Sequence, residues 1–177
     1  QDITLYSIIM SLKNFFEFNF ESLKLFLNED LEIDKKKVSM RSKQIWQSVY
    51  KKGSFEINNL TTFPLELRSK LNNLISLERP KIAKTQTSTD GTIKWLIKLF
   101  DGNEVECVYI PETTRATLCI SSQVGCTLNC RFCHTGTQRL VKNLSFTEIV
   151  NQVMIAKEQL KDWNEQKKIT NIVLMGM

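Results

Sequence analysis

The spacing of apolar residues changes once along this chain, near Pro80, and the change separates two kinds of structure. Before it, Phe16, Phe20, Leu23 and Leu27 recur every three or four positions, which predicts an amphipathic helix over residues 15–27. A second helix is expected over residues 39–52, with Ile45, Trp46, Val49 and Tyr50 on one face and Gly53 ending it in a left-handed conformation. Residues 60–64 read as a connector, and Pro64, suited to a first helical turn, opens a third helix reaching Leu77. Trp46 and Tyr50 are the right chemistry for base stacking, but their helical spacing beside Ile45 and Val49 favours a place in the core.

After Pro80 the period becomes two. Residues 81–88, 92–100 and 104–110 alternate apolar and polar side chains and are separated by Thr89-Asp90-Gly91 and Asp101-Gly102-Asn103, which predicts a three-stranded antiparallel meander. In its last strand Val105, Cys107 and Tyr109 share one face and Glu104, Glu106 and Val108 the other, so Cys107 reads as a small buried hydrophobe. A strand is expected over residues 116–121. Ser145 and Glu148 then form a capping box for a helix that carries Phe146, Ile149, Val150, Val153, Met154 and Leu160 and ends near Trp163. The apolar run 172–175 is the length and composition of a buried parallel strand. Strand, loop, helix and strand make one βαβ unit, and two parallel strands can neither close a barrel nor cover both faces of a sheet. The expected fold class is therefore α/β in three parts: a small N-terminal helical accessory domain over residues 1–78, a β-meander extension over 79–112, and the truncated start of a larger core over 113–177. Gln1 is not an initiator residue, Met10 is a candidate start and the last residues are apolar, so the sequence reads as an N-terminal fragment.

Composition narrows the class. Of 177 residues, 42% are apolar, enough for a core and unlike a disordered chain. The apolar patch at residues 3–10 is interrupted by Thr4 and Ser7 and is too short to span a membrane. Five cysteines, an odd number with no secretory leader before them, are expected of a reducing compartment in which thiols serve metal binding or catalysis; a cytoplasmic protein follows. The net charge of +5 is concentrated in the first half: residues 1–89 hold 14 Lys+Arg against 10 Asp+Glu, residues 90–177 hold 10 against 9. Lys35, Lys36, Lys37, Arg41, Lys43, Lys51 and Lys52 lie in one run without an acid, which suits a phosphate backbone, although each lysine taken singly fits a solvated helix face equally well.

The chemistry concentrates in Cys126-Thr127-Leu128-Asn129-Cys130-Arg131-Phe132-Cys133. Three thiols in so short a stretch cannot all pair as disulfides, which leaves a metal site or coincidence. Structural zinc usually takes four protein ligands, and this segment supplies three, with Cys119 or His134 as possible fourth ligands. A 4Fe-4S cluster held by three thiolates instead keeps one iron open for a small molecule.

The spacing Cys126, Cys130, Cys133, with Phe132 in the aromatic position, resembles the signature of the radical S-adenosylmethionine superfamily. Residues 115–126 before the loop and 170–177 after it are similar to the bacterial RNA adenine carbon-2 methyltransferase family, the resemblance running from about Arg41 onward. That resemblance implies a partial (β/α)6 barrel whose first βαβ unit is the one read above. It implies a 4Fe-4S cluster on Cys126, Cys130 and Cys133, with S-adenosyl-L-methionine bound at the open iron. It also implies Glu106 as proton acceptor and Cys119 as the second catalytic cysteine, which acts on the covalent adduct between RNA and a methyl-carrying cysteine near the family's C-terminus. Implied partners are ribosomal RNA, transfer RNA and an electron donor such as flavodoxin, with no membrane and a monomeric state. The methyl-carrying cysteine is not matched in this sequence, so the segment alone is expected to be inactive. Two alternatives stay open: a zinc-dependent RNA-binding module without catalysis, and the sister enzyme that methylates carbon 8 of adenine.

Overall fold

The computed structural model describes residues 12–127, 138–163 and 168–175, which fall into two compact units, residues 1–78 and 79–177. In the first, the short strand β1 (Lys13–Asn14) pairs in parallel with β2 (Ile75–Ser76). Between them lie a 3-10 turn (Phe15–Glu17), helices α1 (Phe20–Glu29) and α2 (Lys35–Tyr50), a second 3-10 turn (Ile57–Asn59) and helix α3 (Leu65–Asn72). The single helix expected over residues 15–27 is thus two pieces. Asn14 accepts from the Phe16 amide and starts the first; Asn19 forms a capping box with Ser22 and restarts the chain as α1. Helix α2 begins earlier than its apolar pattern suggests, because the Asp34 carboxylate accepts from the Lys36 amide. Gly53 follows it with φ of 73°. Helix α3 stops at Asn72 rather than reaching Leu77, since Ile75 is extended and paired with Lys13.

One stripe of α2, formed by Val38, Ser42, Ile45 and Val49, is buried. Trp46 and Tyr50 are half-buried and stack among Phe15, Phe16 and Phe20, with ring centroids 4.6–6.0 Å apart. Their rings pack on one another and on neighbouring aromatics at the edge of the core. Lys35, Lys36, Lys37, Lys43, Lys51 and Lys52 are exposed. Arg41 differs from them: its guanidinium donates to Gln44 Oε1 at 2.9 Å and to the Thr62 carbonyl at 2.7 Å and lies over the Phe63 ring. This arginine ties α2 to the following connector, a structural role the six exposed lysines do not share.

The second unit is built on a five-stranded mixed sheet. Strands β3 (Lys81–Thr87), β4 (Ile93–Lys98) and β5 (Glu104–Pro111) form the antiparallel meander, and β6 (Ala116–Ser121) continues it antiparallel to β5. Helix α4 (Phe146–Leu160) then returns the chain so that β9 (Asn171–Met175) pairs in parallel with β6. One core spans the unit: Trp95, Ile97, Val105, Cys107, Leu118 and Ile120 on the sheet meet Ile155, Ala156 and Leu160 of α4. Helix α4 ends at Leu160, short of Trp163, because Lys161 turns left-handed at φ 54°. The buried Asp162 carboxylate then accepts from the Lys168 amide at 2.6 Å and directs the chain into β9. The apolar run in β9 was expected to be buried and is not: Ile172 is 48% and Leu174 62% exposed. Strand β9 has β6 as its one described neighbour, and α4 packs over β5 and β6. Among the described residues no helix is long and apolar enough to cross a membrane.

Candidate active site

The site is built at the end of β6. Antiparallel register sets Cys119 opposite Val108 and parallel register sets it beside Val173, so all three share one face of the sheet. Glu106, two residues before Val108, lies on that same face, away from α4. Both candidate catalytic residues are therefore on one surface, with Cys107 on the other side in the core. Burial pushes the Cys107 thiol up to about 12, with a smaller contribution from Cys119. Cys119 is half-buried, and its thiol is also raised by burial, which keeps it protonated near neutrality. The Glu106 carboxylate accepts from Lys94 Nζ at 2.9 Å across the β4–β5 pair.

Ser121 is fully buried, and its hydroxyl donates to the Glu106 carbonyl at 2.7 Å. Its backbone is gripped by Gln152 of α4, which accepts from the Ser121 amide at 2.8 Å and donates to the Ser121 carbonyl at 2.9 Å. The next residue, Ser122, donates through both its amide and its hydroxyl to the Met175 carbonyl. The C-terminal ends of β6 and β9 are joined there.

The cysteine segment leaves from this junction and is closed at its base. Short strands β7 (Gln123–Val124) and β8 (Lys142–Asn143) pair antiparallel, Val141 donates to the Val124 carbonyl at 2.8 Å, and the Cys126 amide donates to the Gln138 carbonyl at 3.2 Å. Gly125 is what permits this closure. Its φ is 78°, and a Cβ placed on it would stand 2.1 Å from the Arg139 carbonyl oxygen. Beyond the closure, Lys142 of β8 binds two carboxylates, Asp101 from the β4–β5 turn and Glu148 from the first turn of α4, the latter at 2.6 Å.

Cys126 is half-buried at this base. Cys130, Phe132, Cys133 and His134 lie outside the described residues, and among the described residues no three potential metal ligands come together. The donor chemistry fits an iron-sulfur cluster: three thiols and no carboxylate occupy residues 126–133, in a segment whose two ends are pinned side by side. Gly125, Lys142, Gln152 and Ser121 were not singled out from the sequence. Gln152 shares the buried face of α4 with a second polar residue, Asn151, so its polarity alone does not mark it.

No family model matches the chain. It is 50% identical over 150 residues to the dual-specificity RNA methyltransferase RlmN of Rhodopseudomonas palustris (strain BisB5) and 49% identical over 150 residues to that of Nitrobacter winogradskyi. Each alignment covers 78% of this chain and 38% of the relative, so the chain spans well under half the length of the curated relatives it matches. Its fold is similar to the crystal structure of a radical SAM methyltransferase from Sphaerobacter thermophilus, with a TM-score of 0.78 and 31% identity, covering 93% of this chain and 47% of that one.

Proposed function

We propose, for a chain homologous to the RlmN methyltransferases over 78% of its length, that it is the part of a radical S-adenosylmethionine RNA methyltransferase that holds the iron-sulfur cluster and two of the reacting side chains. The observation that carries the reading is the pinned three-cysteine segment at the end of a strand that also presents Cys119 on the same face as Glu106. Cys126, Cys130 and Cys133 would hold the cluster, which with bound S-adenosylmethionine supplies a 5'-deoxyadenosyl radical. The βαβ unit then begins a partial (β/α)6 barrel, and the substrate is carbon 2 of adenine in ribosomal and transfer RNA.

Carbon 2 is electron-poor and its hydrogen is not acidic, so direct transfer from a sulfonium donor lacks a nucleophile. After a cysteine-borne methylene group has been joined to that carbon, the odd-electron adduct must also give one electron back to the donor, and two tasks then fall to this chain. The Glu106 carboxylate accepts the ring proton, and the Lys94 ammonium holds the carboxylate in place. Cys119, giving up its proton, attacks the carrier sulfur. A disulfide forms, the carbon-sulfur bond breaks, and its electron pair stays with the methylene carbon, which takes a proton to become methyl. The protein is read as cytoplasmic and dependent on an external one-electron donor.

The test is anaerobic reconstitution of the full-length protein, followed by metal analysis and nucleoside analysis of treated RNA. The expected result is iron and sulfide bound through the three cysteines and 2-methyladenosine in the product. Stoichiometric zinc without iron overturns the reading in favour of an RNA-binding module, and 8-methyladenosine moves the chain to the sister activity. In the Cys119→Ala variant a covalent protein-RNA species is expected on denaturing gels.

A further inference from the structure

We propose that Lys142 is a positioning residue for the cysteine segment, fixing its exit strand to the sheet and to α4 at once; this rests on the reading that Cys126, Cys130 and Cys133 hold a cluster. The backbone of Lys142 pairs with Val124, on the strand that leads into the segment. Its ammonium reaches Asp101, in the turn between β4 and β5, and Glu148, at the start of α4. One residue thus connects the segment's entry and exit to two elements of the folded core.

An exposed lysine-carboxylate pair is ordinarily worth little, because ordering two long side chains offsets the attraction. That objection is weaker here. The Glu148 carboxylate already accepts from the Ser145 amide at 2.8 Å and is only 17% exposed, and Asp101 accepts from the Asn103 amide at 3.0 Å. Both acceptors are placed by backbone hydrogen bonds before the lysine arrives, so a single side chain is ordered for two ion pairs. What this secures is the segment. Gly125 leaves no space between the entry strand and Arg139, so a shift of β8 displaces Cys126 through its bond to Gln138. A cluster with thiolates at both the base and the interior of the segment is sensitive to such a shift.

The experiment uses full-length protein with Lys142→Met and Lys142→Arg, reconstituted anaerobically and challenged with an iron chelator. Cluster loss should be about tenfold faster in Lys142→Met and within about twofold of wild type in Lys142→Arg, the scale expected when two partly buried ion pairs are removed. The electron paramagnetic resonance spectrum of the reduced cluster should change in Lys142→Met and return in Lys142→Arg, while the melting temperature moves little in either. Equal loss rates and identical spectra in all three proteins overturn the inference and leave the cluster reading intact. If wild type takes up no iron, the cluster reading fails by itself. Amide hydrogen exchange at Cys126 and Val141 in metal-free protein then decides the role of Lys142: faster exchange in Lys142→Met, restored by arginine, supports it, and unchanged exchange overturns it.

Discussion

Gln152 closes both backbone hydrogen bonds of Ser121, accepting from its amide at 2.8 Å and donating to its carbonyl at 2.9 Å. Both residues are fully buried. The helix thereby grips the strand between Cys119 and the cysteine segment. Replacing Gln152 with leucine leaves a donor and an acceptor buried without partners, at a cost of about 2–4 kcal/mol for the two. Urea unfolding of the full-length protein should show that loss, and Gln152→Glu should recover part of it only in acid, where the protonated carboxyl can both accept from the Ser121 amide and donate to its carbonyl.

Gly125→Ala should be more damaging than an ordinary glycine substitution. The positive φ alone costs roughly 1–2 kcal/mol, and the new methyl would meet the Arg139 backbone, which cannot rotate aside. The expected result is an open loop base: rapid exchange of the Cys126 amide and poor retention of iron, with the meander strands still protected. Wild-type exchange in Gly125→Ala would show that the close approach is not required.

The lysine latch has a signature in acid. Lys142 holds the Asp101 carboxyl at about 2, below its ordinary 3.8. Burial opposes the same effect on Glu148, yet the bonds from Lys142 and Ser145 still hold it below its usual value. Because both folded values are depressed, the contribution is complete above the ordinary carboxylate range and is lost as the pH falls, for Asp101 through about 2. Carbon-13 detected titration should give that value for Asp101 in wild type and a clearly higher one in Lys142→Met.

The two sheet cysteines should differ in reactivity. Iodoacetamide at pH 8 should label Cys119, which is half-buried, well before Cys107, whose thiol sits in the core and is pushed up to about 12. Cys107 should react only after denaturation. Mass spectrometry of timed digests reads this directly, and early labelling of Cys107 would contradict its buried place.

Exposed lysines of α2 offer a separate test for RNA contact. Converting Lys36, Lys43 and Lys51 to glutamine should flatten the salt dependence of RNA binding, each lost phosphate contact reducing the logarithmic slope by roughly 0.7–0.9. Arg41→Gln should lower stability through loss of the Thr62 carbonyl bond and leave the slope unchanged. If the lysine variants keep the wild-type slope, the basic run is a solvated face.

Period and punctuation made much of the second unit legible: the meander turns at Gly91 and Gly102, strand β6 and the Ser145 capping box all lie where residue spacing places them. The first unit was less legible, because short side chains override apolar period there. Asn14, Asn19 and Asp34 each start a helical turn through a local hydrogen bond, and the tail of the expected third helix is taken by a distant pairing with Lys13. At the site, the cysteines and Cys119 were visible from spacing and resemblance. Lys142 was not, because one of its partners, Asp101, comes from a turn 41 residues earlier, and only the fold brings that turn beside the lysine and the nearby Glu148.

Strand β6 is flanked by neighbours of very different sequence distance, and this has a consequence in time. Its antiparallel partner β5 is joined to it by a short connection, whereas the bonds between Ala116 and Thr170 that align β9 span 54 residues. Local pairings form first, and the distant one waits for the entropy of a long closure. All three motif cysteines lie within the stretch that must close. The sheet up to β6 should therefore assemble while those thiols are still open to solvent, so that metal delivery and oxidation compete during a defined interval of folding. Iron bound in that interval would shorten the loop still to be closed and speed the docking of β9.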